Sequence, residues 1–157
     1  YNQIGNNDIG IIKLVEEVSL DNYVQIACLP SESLSLFSGI EASTAGWGYQ
    51  NESTNVLISF SLHNVKLSIY DINDCIDANV TSFMESYGKI CAGEINGGKG
   101  TCTGDEGGPL FIEQLIDGEI RYVLVGIISK RIGCGRANML EIFTNVQYYI
   151  SWINFYL

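Results

Sequence analysis

The stretch Cys102-Thr103-Gly104-Asp105-Glu106-Gly107-Gly108-Pro109-Leu110 constrains this chain more than any other. Two adjacent glycines and a proline demand a tightly shaped turn, because glycine reaches backbone angles that other residues avoid and proline fixes its own φ. A linker has no use for such a shape. Gly104 leaves room beside its amide and the amide of residue 106 is aimed into the same concavity, so two N–H donors are predicted to converge on one oxygen. Such a pair is an oxyanion hole.

A chain of 157 residues with 46% hydrophobic content is long enough for one domain with a sizeable core, which sets disorder aside. No apolar run approaches the roughly 20 residues that cross a bilayer, and no basic stretch followed by an apolar core opens the chain. Tyr1 is not a natural start, so an N-terminal part is expected to precede it. A net charge of −10 works against electrostatic binding to nucleic acid or anionic lipid. It favours solubility or a basic protein partner, and a merely solvated acidic surface is the plainer account.

The five cysteines, Cys28, Cys75, Cys91, Cys102 and Cys134, contain no CxxC pair, and His63 is the only histidine, so no metal and no cofactor is expected. An odd count suggests two internal disulfides plus one cysteine whose partner lies elsewhere, in an oxidising extracellular compartment. Asn51-Glu52-Ser53 and Asn79-Val80-Thr81 are glycosylation sequons in keeping with secretion.

Along the chain, Asn7 to Leu14 reads as a polar turn feeding a β-branched strand, with Asp8 taken alone as a turn or cap residue. Residues 21–40 read as a surface connection with a Ser-rich run from Ser31 to Ser35. Ala45-Gly46-Trp47-Gly48 suits a tight strand bend with the indole packed. From Val56 to Ile69 the partial alternation favours half-buried strands, and His63 within it reads as an ordinary strand or surface histidine. Ile72 through Met84 reads as a short helix then a loop, and Lys89 to Gly93 as the next strand. A hairpin is predicted around Ile116-Asp117-Gly118-Glu119. Tyr148, Tyr149, Ile150, Trp152, Ile153 and Phe155 have the spacing of an amphipathic helix whose aromatic stripe packs in the core, with Thr144 or Asn145 near its cap.

The segment at 104–109 resembles the nucleophile loop of the trypsin and chymotrypsin family of serine peptidases, Gly-Asp-Ser-Gly-Gly-Pro, with Glu106 where that family has serine. Asn7-Asp8-Ile9, Gly46-Trp47-Gly48 and the cysteines fall in the family's order, so the resemblance spans nearly the whole chain. It implies an all-β fold: the second Greek-key barrel of a two-barrel protease with a C-terminal α-helix. Residues 1–20 are then a remnant of the first barrel, 21–40 the connection between barrels, and 41–157 the second barrel with its helix. The implied disulfides are Cys75–Cys91 and Cys102–Cys134, with Cys28 tied to a segment upstream of the protease domain.

By the same resemblance Asp8 is the triad aspartate, Gly104 and Glu106 form the oxyanion hole, and Asp105 receives the N-terminal amine after zymogen cleavage or supports the loop. The specificity pocket falls on Gly100, Ser129, Lys130, Arg131 and Glu141, where long charged side chains stand in place of a tryptophan and glycines. Glu141 is expected to pair with Lys130 or Arg131 and fill the pocket; the alternative is an open slot with these side chains in solvent. No catalytic histidine lies within the chain, and a carboxylate at 106 is a poor acyl acceptor, placing negative charge where negative charge must develop. Folding back, the Glu106 side chain would itself accept the Gly104 and Glu106 amides. These features imply a secreted, non-catalytic protease homologue that binds a protein, such as a protease or a protease substrate. The competing reading is an active trypsin-like endopeptidase.

Overall fold

The structure, a computed structural model, describes residues 7–36, 38–52 and 59–157. Val56, Leu57 and the sequon residue Ser53 lie outside the described residues. Six strands close into one antiparallel barrel: β1 (Glu41–Gly46), β2 (His63–Tyr70), β3 (Lys89–Gly93), β4 (Pro109–Ile116), β5 (Glu119–Lys130) and β6 (Glu141–Asn145), hydrogen-bonded in the order β1-β2-β3-β6-β5-β4 with β4 returning to β1. Strand β4 lies beside β1 while β1, β2 and β3 run consecutively, which is the Greek-key order. The β3–β4 connection therefore crosses one end of the barrel and carries the Gly-rich segment with it.

Alternation places one face of each strand inside, as with Leu67 and Ile69 of β2 and Val123 and Val125 of β5. These pack with Ala42, Ile90, Leu110, Ile112, Ile128 and Phe143 in one core. At the β4–β5 hairpin Asp117 and Gly118 both take positive φ, 52° and 82°, the two-residue turn whose twist matches the flanking strands. The ladder between β5 and β6 is irregular between Ile128 and Lys130, so Ser129 has no partner in it. Such a bulge re-aims a side chain; here the Ser129 hydroxyl faces residue 8.

Helix α1 (Ile72–Asp77) starts at Asp71, whose side chain accepts from Asn73 N at 2.9 Å, and a disulfide joins Cys75 to Cys91 of β3. A second disulfide joins Cys102 to Cys134, and Cys28 is free among the described residues. Cys28 bridges to Val123 in a short parallel contact and holds the connecting segment on β5. Among the described residues no helix is long and apolar enough to cross a membrane.

Three local expectations are corrected. Residues 7–14 form no strand; they have no ladder partner among the described residues and are held through Asn7, Asp8 and Ile9. Trp47 is 54% exposed rather than packed, and the glycines on either side of it lie against Asp105. In α2 (Ile150–Tyr156) and the turn before it, the barrel buries only Tyr149, Ile150 and Ile153, so Tyr148, Trp152 and Phe155 stand exposed. Only the Tyr149 and Ile153 side packs, together with Val146, against Ile9 and the β5 residues Leu124 and Ile127. Asn145 does serve that turn, its Oδ1 accepting from Tyr148 N at 3.2 Å.

Candidate functional site

The segment 101–109 folds back on itself through Asp105 N to Cys102 O at 3.0 Å and Gly108 N to Asp105 O at 2.9 Å, with Gly104 at φ 98°. Gly107 N and Ile128 N stitch it to β5 through Ile128 O and Gly108 O. The Asp105 carboxylate is the internal post of this loop. Its Oδ1 accepts from Gly48 N at 2.7 Å and its Oδ2 from Cys102 N at 2.9 Å. A Cβ at Gly46 would lie 2.0 Å from Asp105 Oδ1, and one at Gly48 2.6 Å from Asp105 Cγ. Only glycine on both sides of Trp47 lets this carboxylate reach the backbone.

Beside it Glu106 turns back over its own loop. Gly104 N donates to Glu106 Oε2 at 2.8 Å, while Arg131 Nη2 donates to Oε1 at 2.7 Å. Burial alone would raise this carboxyl, but its own backbone N–H, the Arg131 guanidinium and the Gly104 N–H together hold it below the ordinary carboxylate range. Arg131, only 10% exposed, also reaches Thr103 Oγ1 at 3.4 Å and so spans the gap between the loop and the end of β5. A groove of about 490 Å³ opens beside it, lined in part by Tyr49, Glu52, Glu106, Arg131 and Arg136. Glu52 closes one side by pairing with Arg136 at 2.6 Å and accepting from Cys134 N.

Below Arg131, Glu141 is 4% exposed. Its Oε1 accepts from Thr101 N at 2.9 Å and its Oε2 from Thr101 Oγ1 at 2.8 Å. Burial pushes its carboxyl up, and the Thr101 hydrogen bonds and the Arg131 charge only partly oppose that. A Cβ on Gly100 would lie 2.3 Å from Glu141 Oε1, so the carboxylate rests directly on that glycine. The expected pairing of Glu141 with Lys130 or Arg131 is therefore replaced: Glu141 satisfies the buried Thr101 amide, Arg131 reaches outward to Glu106, and Lys130 points to Glu85 at 3.6 Å.

Asp8 is reached from the barrel by two hydroxyls. Ser129 Oγ donates to its Oδ2 and Thr144 Oγ1 to its backbone O, both at 2.8 Å. Under them Lys89, a buried residue of β3, donates through Nζ to Thr144 Oγ1 at 3.0 Å and to Ser129 Oγ at 3.4 Å. Sequence reasoning missed Lys89, Thr101 and the Glu52–Arg136 clasp; a lysine opening an otherwise apolar strand was the one available signal. His63 is exposed and bonds to Gln50 and Ser59, away from Glu106. Among the described residues no cluster of three or more His, Cys, Asp or Glu is poised to hold a metal ion.

A family model described as Trypsin matches residues 1–153 of the chain. The chain belongs to the trypsin family. Relatives include trypsin eta of Drosophila melanogaster, 35% identical over 94% of the chain and 52% of that protein. Transmembrane protease serine 11G of Rattus norvegicus is 33% identical over 94% of the chain and 34% of its own length. Coagulation factor XII of Rattus norvegicus is 34% identical over 85% of the chain and 22% of its length. The chain thus spans about half the length of these relatives or less. The barrel, its loop over one end and its terminal helix are trypsin-family architecture.

Proposed function

We propose that this trypsin-family chain is part of a non-catalytic serine protease homologue that works by binding a protein partner in extracellular proteolysis. The observation that carries the reading is Glu106: where the family motif has its serine, a carboxylate accepts from the Gly104 N–H and is ion-paired to Arg131. In this reading the oxyanion hole of Gly104 and Glu106 is occupied by the side chain that replaced the nucleophile. Loss of the nucleophile in a triad removes on the order of 10⁶-fold of turnover, and a bound anion also opposes the charge that develops in acyl transfer. Asp8 keeps the place of the triad aspartate, and Asp105 supports the loop as a backbone acceptor.

The specificity pocket is filled in the same reading: Glu141 rests on Gly100 from below, and Arg131 crosses the mouth beside Ser129 and Lys130. Two disulfides and an exposed Asn79 in a sequon support a secreted glycoprotein, with Asn51 as a second acceptor and Cys28 bonded to a segment outside the chain. The partner surface is basic, to suit a net charge of −10.

The test is a radiolabelled organophosphonate, which modifies active serines, applied to the full-length protein. No label is expected on the natural protein. Stoichiometric labelling of the natural protein would make it an active endopeptidase and end this reading.

A further inference from the structure

We propose that Lys89 is a positioning residue for Asp8: its buried ammonium, acting through the hydroxyls of Ser129 and Thr144, clamps Asp8 to the barrel and answers its charge from beneath. The donor and acceptor bookkeeping leaves one arrangement. Ser129 and Thr144 each spend their single hydroxyl proton on Asp8, at Oδ2 and at the backbone O, so only lone pairs remain to face Lys89. Lys89 Nζ fills both, at 3.4 and 3.0 Å. The placement is built into the sheet. Lys89 and Thr144 are directly paired residues of β3 and β6, and the irregularity that leaves Ser129 unpaired in β5 turns its hydroxyl to the same point.

A lysine in such a place is unusual, because burial works against its charged form. Burial does push the Lys89 ammonium down, and the charges that oppose this are those of Asp8 and then Glu85. Glu85 is itself engaged by Lys130, which leaves Asp8 as the carboxylate wired to Lys89 through shared hydroxyls. Asp8 thereby has two hydroxyl donors and a cation supplied entirely by the second-barrel residues, whatever residue 106 does. The inference is independent of the proposed loss of catalysis.

The test starts from Asp8→Asn in the full-length protein, an exposed and isosteric change. Followed by the ¹³Cε resonance of Lys89, the titration midpoint is expected to fall further, with an acid dissociation constant about three- to tenfold larger, as removal of one nearby charge implies. An unchanged midpoint overturns the proposal. A double-mutant cycle with Lys89→Met then separates charge from packing. If the two residues act as one unit, the doubly changed protein has an unfolding constant about fivefold or more below the product of the two single effects. Independent, multiplying effects would reduce Lys89 to a packing residue and overturn the proposal as well.

Discussion

Arg131 and Glu106 are joined at 2.7 Å across 25 residues of sequence, with the guanidinium 10% exposed and the carboxylate half in solvent. The pair draws the end of β5 over the loop at 101–109. Replacing Arg131 with methionine leaves the Gly104 N–H as the main external donor to Glu106. The Glu106 carboxyl should then move back up toward its ordinary value, read by ¹³C titration. A carboxyl lowered by folding contributes stability that is present above its unfolded value of 4.5 and is lost as pH falls through the lowered one. Arg131→Met should therefore weaken the protein at neutral pH, by about 1 kcal/mol for a pair whose carboxylate is half in solvent, and flatten the acid limb of its urea-midpoint profile.

Glu141 behaves in the opposite sense. Its carboxyl is raised by burial from 4.5, so the folded chain holds a proton that the unfolded chain has released, and stability falls as pH rises above 4.5 through the raised value. Glu141→Gln keeps the shape and removes the titration. The variant should lose this downward slope, and its stability relative to the natural protein should improve as pH rises from 4.5 to the raised value and level off above it.

The Asp105 post requires glycine beside Trp47. A methyl at Gly48 meets Asp105 Cγ at 2.6 Å, and the carboxylate cannot retreat without abandoning the Gly48 and Cys102 amides. Gly48→Ala should cost about 1–3 kcal/mol in urea unfolding, as overpacking of a fixed group does. Gly10→Ala, with open space around it, should cost far less.

Disulfide removal follows loop size. Cys75 and Cys91 close 16 residues and Cys102 and Cys134 close 32. Replacing either pair with alanine should lower stability by about 3 and 3.7 kcal/mol respectively on the chain-entropy account. Reversal of that order in denaturant unfolding would show that contacts around α1 or the loop at 101–109 outweigh chain entropy.

Much of the barrel was legible because its signals are local. The Asp117-Gly118 turn, the alternating core residues of β2 and β5 and the glycine-proline loop each depend on a few adjacent side chains. The terminal helix shows where local reading stops. Periodicity identifies it, but Tyr148, Trp152 and Phe155 are left exposed because only the side of Tyr149 and Ile153 meets the apolar residues of β5. The same limit applies at Trp47, which stays exposed while the glycines on either side of it make room for the carboxylate of Asp105, 57 residues from Gly48.

The sequence by itself determined the family, the all-β class and the glutamate at position 106, because order and identity of residues are covalent facts. Which charges meet was decided only in three dimensions. Glu141 joined Thr101 rather than Arg131, Glu52 joined Arg136 from 84 residues away, and Lys89 came under Asp8. Polar groups take whichever partner the folded chain places within about 3 Å, and the closure of the barrel and its loops, not sequence distance, sets that list.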